Sequence, residues 1–164
     1  MAFEDGKGRC RVEKIVSGGQ AGVDRAALDW AIDRRLPHGG WCPRGRLAED
    51  GPIAERYRLT ETPSDAYLQR TEWNVRDSDG TVILSLGAEL GGGSLRTAEL
   101  AREHGRPGLH LSRARDGVEG AAARLREFVE RYGIRVLNVA GPRASGERGV
   151  GEFAREVLER ALRR

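Results

Sequence analysis

Three glycine-rich segments contain residue types and spacings that could bind an anion. They are 17–24 (SGGQAGVD), 91–97 (GGGSLRT) and 141–149 (GPRASGERG). Glycine lets the backbone approach a ligand closely, and the unpaired N–H groups at the start of a following helix attract phosphate. The first segment matches neither the G-x-G-x-x-G pattern nor the Walker pattern. A tight connection without a ligand is therefore the alternative explanation for it.

Two arginines lie in a segment that predicts a long loop. Residues 37–52 are dense in glycine, proline and charge, and their apolar residues have no regular spacing. Loops of this length in compact domains are commonly functional. Because a guanidinium can donate two parallel hydrogen bonds to phosphate, Arg44 and Arg46 are candidate ligand residues. A solvated lid is the alternative.

A polar stripe follows one face of a predicted helix within residues 60–79. Arg70, Asn74 and Asp77 are spaced at i, i+4 and i+7. A solvent-facing surface would explain such a stripe equally well. The stripe is still a candidate part of a site, because the helix leads directly into the strand predicted over 81–86.

The elements that must position these residues alternate between strand and helix. Apolar runs predict strands over 11–16, 81–86, 107–111 and 134–139, and helical spacing predicts helices over 25–36, 98–104, 118–132 and 150–162. Asp24 is the predicted N-cap of the first helix. The alternation predicts an α/β fold with a parallel sheet and helices on both faces. All three glycine-rich segments then lie at the carboxyl edge of the sheet, where such folds bind ligands.

The length of the chain predicts a single ligand-binding domain, and its charge gives no indication of nucleic-acid binding. The chain has 164 residues, of which we expect 1–10 to be a flexible N-terminus and 11–164 to form a single domain. The net charge is +3, and no long basic run with interleaved aromatic residues is present. The sequence therefore has no strong nucleic-acid signal.

Cysteine usage and hydropathy indicate in which cellular compartment the protein is expected. Cys10 and Cys42 have neither the number nor the spacing of a disulfide framework or a zinc site, which predicts reduced thiols and no metal site. No apolar run reaches the roughly 18 residues of a membrane span, and the first residues lack a leader-like pattern. We therefore expect a cytoplasmic protein without membrane contact.

Four separated blocks carry a family resemblance. They are SGGQAGVDRAALD (17–29), GWCPRGRLAEDG (40–51), RTEWNVRDSDGT (70–81) and NVAGPR (138–143). In this order, over about residues 12–160, they resemble the putative molybdenum cofactor carrier family. That family is related to the lysine-decarboxylase-like phosphoribohydrolases and to DNA-processing proteins that bind single strands.

The resemblance implies a Rossmann-like fold and a protein that binds, stores or delivers molybdenum cofactor without catalysis. This small-molecule anion is a pterin with a phosphate and a dithiolene-held oxomolybdenum group. The resemblance also implies a homo-oligomer, dimer or tetramer, and a molybdoenzyme acceptor. The ligand-binding residues that it implies, together with those singled out above, are Ser17, Gly18, Gly19, Gln20, Gly22, Arg44, Arg46, Arg70, Asn74, Arg76, Gly91, Gly92, Gly93, Ser94 and Thr97.

Two other functions share the same sheet edge. A nucleoside monophosphate phosphoribohydrolase would need a glutamate in a Pro-Gly-Gly-x-Gly-Thr-x-x-Glu block, and Glu99 follows the second glycine segment at a different spacing. A glutamate favoured by the helix dipole is the simpler interpretation of Glu99. A nucleotide or oligonucleotide sensor is the other alternative. His38, His104 and His110 lie in unrelated segments, so no Ser-His-Asp hydrolase and no catalytic residue is predicted.

Overall fold

The computed structural model describes residues 11–163, so the predicted flexible segment 1–10 lies outside the described residues. The strands are β1 (Lys14–Val16), β2 (His38–Gly39), β3 (Trp41–Cys42), β4 (Leu47–Ala48), β5 (Gly51–Pro52), β6 (Thr60–Glu61), β7 (Gly80–Ser85), β8 (Gly108–Ser112) and β9 (Val136–Ala140). The helices are α1 (Val23–Asp33), α2 (Tyr67–Arg76), α3 (Gly92–Glu103), α4 (Arg113–Tyr132) and α5 (Val150–Leu162).

A five-stranded sheet in the order β2-β1-β9-β7-β8 forms the centre of the fold. Every neighbouring pair in it is parallel. All six residues of β7 are buried, as expected for a strand covered on both faces. The prediction of an α/β fold with a Rossmann-like parallel sheet is confirmed.

Helices cover both faces of the sheet. On one face α1, α4 and α5 share a large core with the strands, in which Val23, Leu125 and Leu158 are fully buried. On the other face α2 and α3 form a smaller cluster around Val75 and Leu100. Among the described residues, no helix is long and apolar enough to cross a membrane.

The prediction of a long unstructured loop over 37–52 is wrong. β2 pairs with β1 at the edge of the main sheet, β3 pairs with β6, and β4 pairs with β5 in an antiparallel hairpin. Each of these strands has only two residues. Such short strands leave no alternating pattern in the sequence, because their pairing depends on distant partners.

The starts of α3 and α1 also differ from the prediction. α3 begins at Gly92, six residues before the predicted start at Ala98, because the glycine run itself forms the first turn of the helix. α1 is preceded by Gly22 at the N-cap position, and Asp24 lies within its first turn. The Asp24 carboxylate is thus available for a role other than capping.

A cavity at the carboxyl edge of the sheet

A single cavity of about 520 Å³ brings together the three glycine-rich segments. It lies where β1, β7 and β9 end, and α2 and α3 form its remaining walls. This volume is within the usual range for a small-molecule site. Of the predicted site residues, those lining the cavity are Gly18, Gln20, Arg70, Asn74, Gly91, Gly92, Gly93, Ser94 and Thr97.

The N-terminus of α3 is open to this cavity. Gly91 at the N-cap position has an extended backbone, and no side chain caps the helix. A Cβ atom placed on Gly91, Gly92 or Gly93 would meet no atom within 4 Å. The first-turn N–H groups have no intrahelical acceptor, so they and the helix dipole can attract an anion.

The N-terminus of α1 is closed by the protein itself. Gln20 N donates to the Asp24 carboxylate at 3.3 Å, and Ala21 N donates to Gln20 Oε1 at 3.0 Å. Val23 N donates to Pro142 O at 3.4 Å. The backbone of the third glycine-rich segment therefore occupies the position where an anion would lie.

Close packing explains several glycines of the first segment. Gly22 has φ 117°, and a Cβ atom there would lie 2.6 Å from both Ala144 N and Pro142 O. Gly19 faces the side chains of Ile53 and Leu59. Ser17 is buried and donates its hydroxyl proton to Val139 O at 2.6 Å. Ser17, Gly19 and Gly22, all predicted ligand contacts, thus lie outside the cavity lining for a packing reason.

The β4–β5 hairpin is fastened over this closed segment. Glu49 N donates to Gln20 Oε1 at 2.8 Å, and Arg25 pairs with Asp50 at 2.9 Å. The Glu49 carboxylate accepts hydrogen bonds from Ser145 N at 3.0 Å and from Ser145 Oγ at 2.5 Å. The hairpin consequently joins the first and third glycine-rich segments.

The predicted loop arginines do not reach the cavity. Arg46 donates to the carbonyl oxygens of Ile53, Ala54, Tyr57 and Leu59 at 2.7–3.4 Å, so its guanidinium holds the segment 53–59 in place. Arg44 is exposed and lies outside the cavity lining. Neither arginine therefore lines the cavity, although both were predicted to bind the ligand.

The polar stripe on α2 divides between cavity and surface. Asn74 lines the cavity, but its amide accepts from Trp41 N at 2.7 Å and donates to Trp41 O at 2.9 Å, which docks β3 onto α2. Arg76 pairs with Asp77 at 2.8 Å and lies 4.7 Å from the Trp73 ring, outside the cavity lining. Only Arg70 brings a charge from this helix into the cavity.

Arg70 and Asp24 form a buried pair in the cavity wall. They are 9% and 7% exposed, respectively. Arg70 Nη1 donates to Gly18 O at 3.0 Å and lies 3.5 Å from Asp24 Oδ2, and Nε donates to Thr71 Oγ1 at 3.1 Å. These contacts leave Nη2 for a ligand. Burial raises the pKa of Asp24, and the charge of Arg70 opposes that rise.

Several cavity residues were not predicted from the sequence. Arg96 and Arg143 add two further positive charges to the lining, and Glu89 and Glu147 add negative charges. Glu147 accepts a hydrogen bond from Leu86 N at 2.5 Å, which joins the end of β7 to the third glycine-rich segment. Their position within glycine-rich segments or beside them was the only sequence signal available.

A serine and a histidine also meet at this edge. Ser85 Oγ lies 2.7 Å from His110 Nε2 and 2.7 Å from Gly87 O. The carbonyl can only accept, so the single hydroxyl proton goes to Gly87 and His110 donates to Ser85. This arrangement anchors the loop after β7.

Glu99 and the metal-binding residue types lie elsewhere. Glu99 pairs with Arg96 at 3.1 Å on the surface of α3 and does not line the cavity. Across residues 11–163, no three His, Cys, Asp or Glu side chains are grouped to hold a metal ion. Cys42 is buried and free, and it lies outside the cavity lining.

A Rossmann-like parallel sheet with a ligand-sized cavity at its carboxyl edge defines the class of protein. Within that class, the chain belongs to the circularly permutated YpsA SLOG family, whose model matches residues 15–162. The chain is also similar to a crystal structure from Syntrophus aciditrophicus SB that is named putative molybdenum carrier protein. The two are 45% identical with a TM-score of 0.92, over 94% of this chain and 98% of that one. No curated protein matches the chain.

Proposed function

We propose that the protein binds molybdenum cofactor, as a pterin phosphate anion, in the cavity at the carboxyl edge, and stores or delivers it without catalysis. The observation that carries this proposal is the uncapped N-terminus of α3, which faces the cavity with three glycines and no obstructing atom. The relative named putative molybdenum carrier protein supports the identity of the cargo. Assembly into a homo-oligomer and transfer to a molybdoenzyme acceptor belong to the same proposal.

The charges and donors of the cavity fit a phosphate. The α3 backbone N–H groups offer directed donors at the uncapped start of the helix. Hydrogen bonds from such groups to a charged oxygen contribute about 1.5–3 kcal/mol each. Arg143 adds a positive charge to the same lining, whereas Arg96 is already paired with Glu99 and Glu103.

The rest of the cavity fits the other parts of the cargo. Tyr67, Leu68 and Leu90 supply an apolar wall against which a flat heterocycle can pack. Among residues 11–163, no cysteine lines the cavity. The protein would therefore hold the pterin and its phosphate, and the dithiolene of the cofactor would hold the molybdenum.

The phosphoribohydrolase alternative loses its main residue in this arrangement. The Glu99 side chain is 43% exposed, is paired with Arg96 and does not line the cavity. A general acid must reach the leaving group of the substrate. The position of Glu99 therefore supports a carrier over this enzyme.

Ligand retained by the native protein tests the proposal. The full chain is produced in cells that make molybdenum cofactor, purified without denaturation, and analysed by mass spectrometry and metal analysis. We expect a pterin phosphate and molybdenum in equal amounts. A Gly93→Asp variant, which places a carboxylate at the start of α3, should retain neither.

Two results would count against this function. One is recovery of a nucleotide in place of the pterin. The other is a wild-type protein that carries no ligand and also fails to bind a synthetic pterin monophosphate on titration. Release of free base from nucleoside monophosphates would favour the enzyme instead.

A further inference from the structure

Asp24 is an unexpected residue in a cavity for an anion. It lies in the first turn of α1, is 7% exposed and lines the cavity together with Arg70. A carboxylate repels phosphate, so it does not serve the part of the cavity at the α3 N-terminus. Its chemistry suits a different part of the same ligand, one that presents N–H donors.

The protein contacts of Asp24 leave this carboxylate with unused capacity. Oδ2 accepts a hydrogen bond from Gln20 N at 3.3 Å and lies 3.5 Å from Arg70 Nη1, and both distances are long for such contacts. The Ser17 hydroxyl is beside the carboxylate, but its single proton goes to Val139 O at 2.6 Å. An ionised carboxylate can accept about four hydrogen bonds.

Protein groups offset the burial of Asp24 only in part. The pKa of Asp24 is raised because desolvation outweighs the effects that lower it, chiefly the charge of Arg70 and the hydrogen bond from Gln20. A buried charge of this kind is costly unless it is paired and hydrogen-bonded. A ligand with two adjacent N–H groups would supply the missing donors.

We infer that Asp24 recognises the 2-amino and ring N–H donors of a 2-amino-4-oxopyrimidine ring, so that the cavity selects a pterin over its 2-oxo analogue. The inference rests on the proposed function, whose cargo contains this ring. Arg70, directly beside Asp24, offers a donor suited to the 4-oxo group of the same edge. Replacing the 2-amino group by oxygen would set an acceptor against the carboxylate, which is strongly unfavourable in a buried site.

Two probes that differ only in the 2-substituent of the ring isolate this contact. 6-Hydroxymethylpterin monophosphate and 6-hydroxymethyllumazine monophosphate carry the same phosphate, and only the first has the 2-amino group. Titration of the full wild-type chain with each should show a preference for the pterin of about 10-fold or more. Because both probes carry the same phosphate, its contribution cancels in the ratio of their two dissociation constants.

Two variants that each remove one negative charge complete the test. Asp24→Asn should reduce the preference to within about 2-fold, since its amide can no longer accept both N–H groups. Glu89→Gln removes one negative charge from the same lining and should leave the ratio unchanged. Thermal melts of both variants verify that they fold, and the wild-type ratio provides a test that needs no variant.

The possible outcomes separate this inference from the proposed function. Tight binding of both probes by the wild type with a ratio near one overturns the role of Asp24 and leaves pterin phosphate binding intact. A preference that survives in folded Asp24→Asn also overturns it. Binding of neither probe by the wild type overturns the proposed function, and the inference with it.

Discussion

Two helix N-termini lie at the same edge of the sheet, and they differ in what surrounds their backbone donors. At α1, the carbonyl of Pro142 and the carboxylate of Asp24 accept hydrogen bonds from the N–H groups of Val23 and Gln20. At α3, no side chain caps the helix and the space next to its glycines is empty. The same residue type thus allows close packing at one turn and leaves the backbone open to the cavity at the other.

The difference shows why a glycine-rich turn is not by itself an anion site. The backbone of 142–144 crosses the α1 turn closely enough that only glycine fits at position 22. The β4–β5 hairpin then fastens both segments together through Glu49. A turn that is held in this way positions the cavity wall, whereas the open turn supplies the donors.

The largest expected effect concerns the closed turn. Gly22→Ala should lower the free energy of unfolding by about 3 kcal/mol, because a Cβ atom would clash with two backbone atoms at a φ of 117°. Urea denaturation measures the loss. Gly91→Ala is the matched control at the open turn, where no atom lies within 4 Å, and it should stay within about 0.5 kcal/mol of wild type. Equal stability of the two variants would contradict the distinction between the turns.

The second effect concerns ligand affinity at the open turn. Gly93→Asp should weaken pterin phosphate binding by about 100-fold, because its carboxylate competes with the phosphate for the α3 N–H groups. The fold should stay intact, since an acidic residue is favourable at a helix N-terminus. Isothermal titration of Gly93→Asn, which has the same size without the charge, should show a much smaller loss. Comparable losses in both variants would point to steric exclusion instead.

A third prediction is that Arg46 stabilises the fold and does not contact the ligand. Arg46→Ala should lower the free energy of unfolding by about 2 kcal/mol, because four carbonyl oxygens in 53–59 lose their donor. Pterin phosphate affinity should change less than about 3-fold, since Arg46 does not line the cavity and a change of about 0.5 kcal/mol is at most a few-fold. Arg44→Ala should have little effect on either quantity. A folded Arg46→Ala variant with a 10-fold or greater loss of affinity would return this residue to the site.

The smallest expected effect is a pH dependence of stability. The folded-state pKa of Asp24 is raised above its unfolded value, so ionisation favours the unfolded chain, and this penalty grows as pH rises above about 4. Asp24→Asn should therefore gain stability relative to wild type between pH 4 and pH 7. The gain should be modest, because Arg70 loses its charged partner. A variant that instead becomes relatively less stable as pH rises would show that the ion pair outweighs burial.

The sequence predicts the sheet and its ligand edge for a physical reason. Strands that are buried on both faces, such as β7, are rich in apolar residues, and alternation with helices leads to a parallel sheet whose turns share one edge. The prediction that 91–97 faces a cavity follows from this topology. These features depend on local patterns, which a single sequence contains.

Features that depend on distant contacts could not be predicted in this way. Pro142 closes the α1 turn from more than a hundred residues away along the chain. The guanidinium of Arg46 donates hydrogen bonds to carbonyl oxygens whose positions depend on the fold of 53–59. Asp24 has the pattern of a helix cap, and only its tertiary burial beside Arg70 reveals a charge in the cavity wall.

Backbone amide shifts test most directly which turn binds the anion. The full ¹⁵N-labelled chain is titrated with inorganic phosphate and then with a pterin monophosphate. We expect saturable shifts of the Gly92, Gly93 and Ser94 amide resonances with both ligands, and no shift of the Gly22 and Val23 resonances with phosphate. Saturable phosphate-induced shifts confined to Gly22 and Val23, with the α3 amides unmoved, would contradict this expectation.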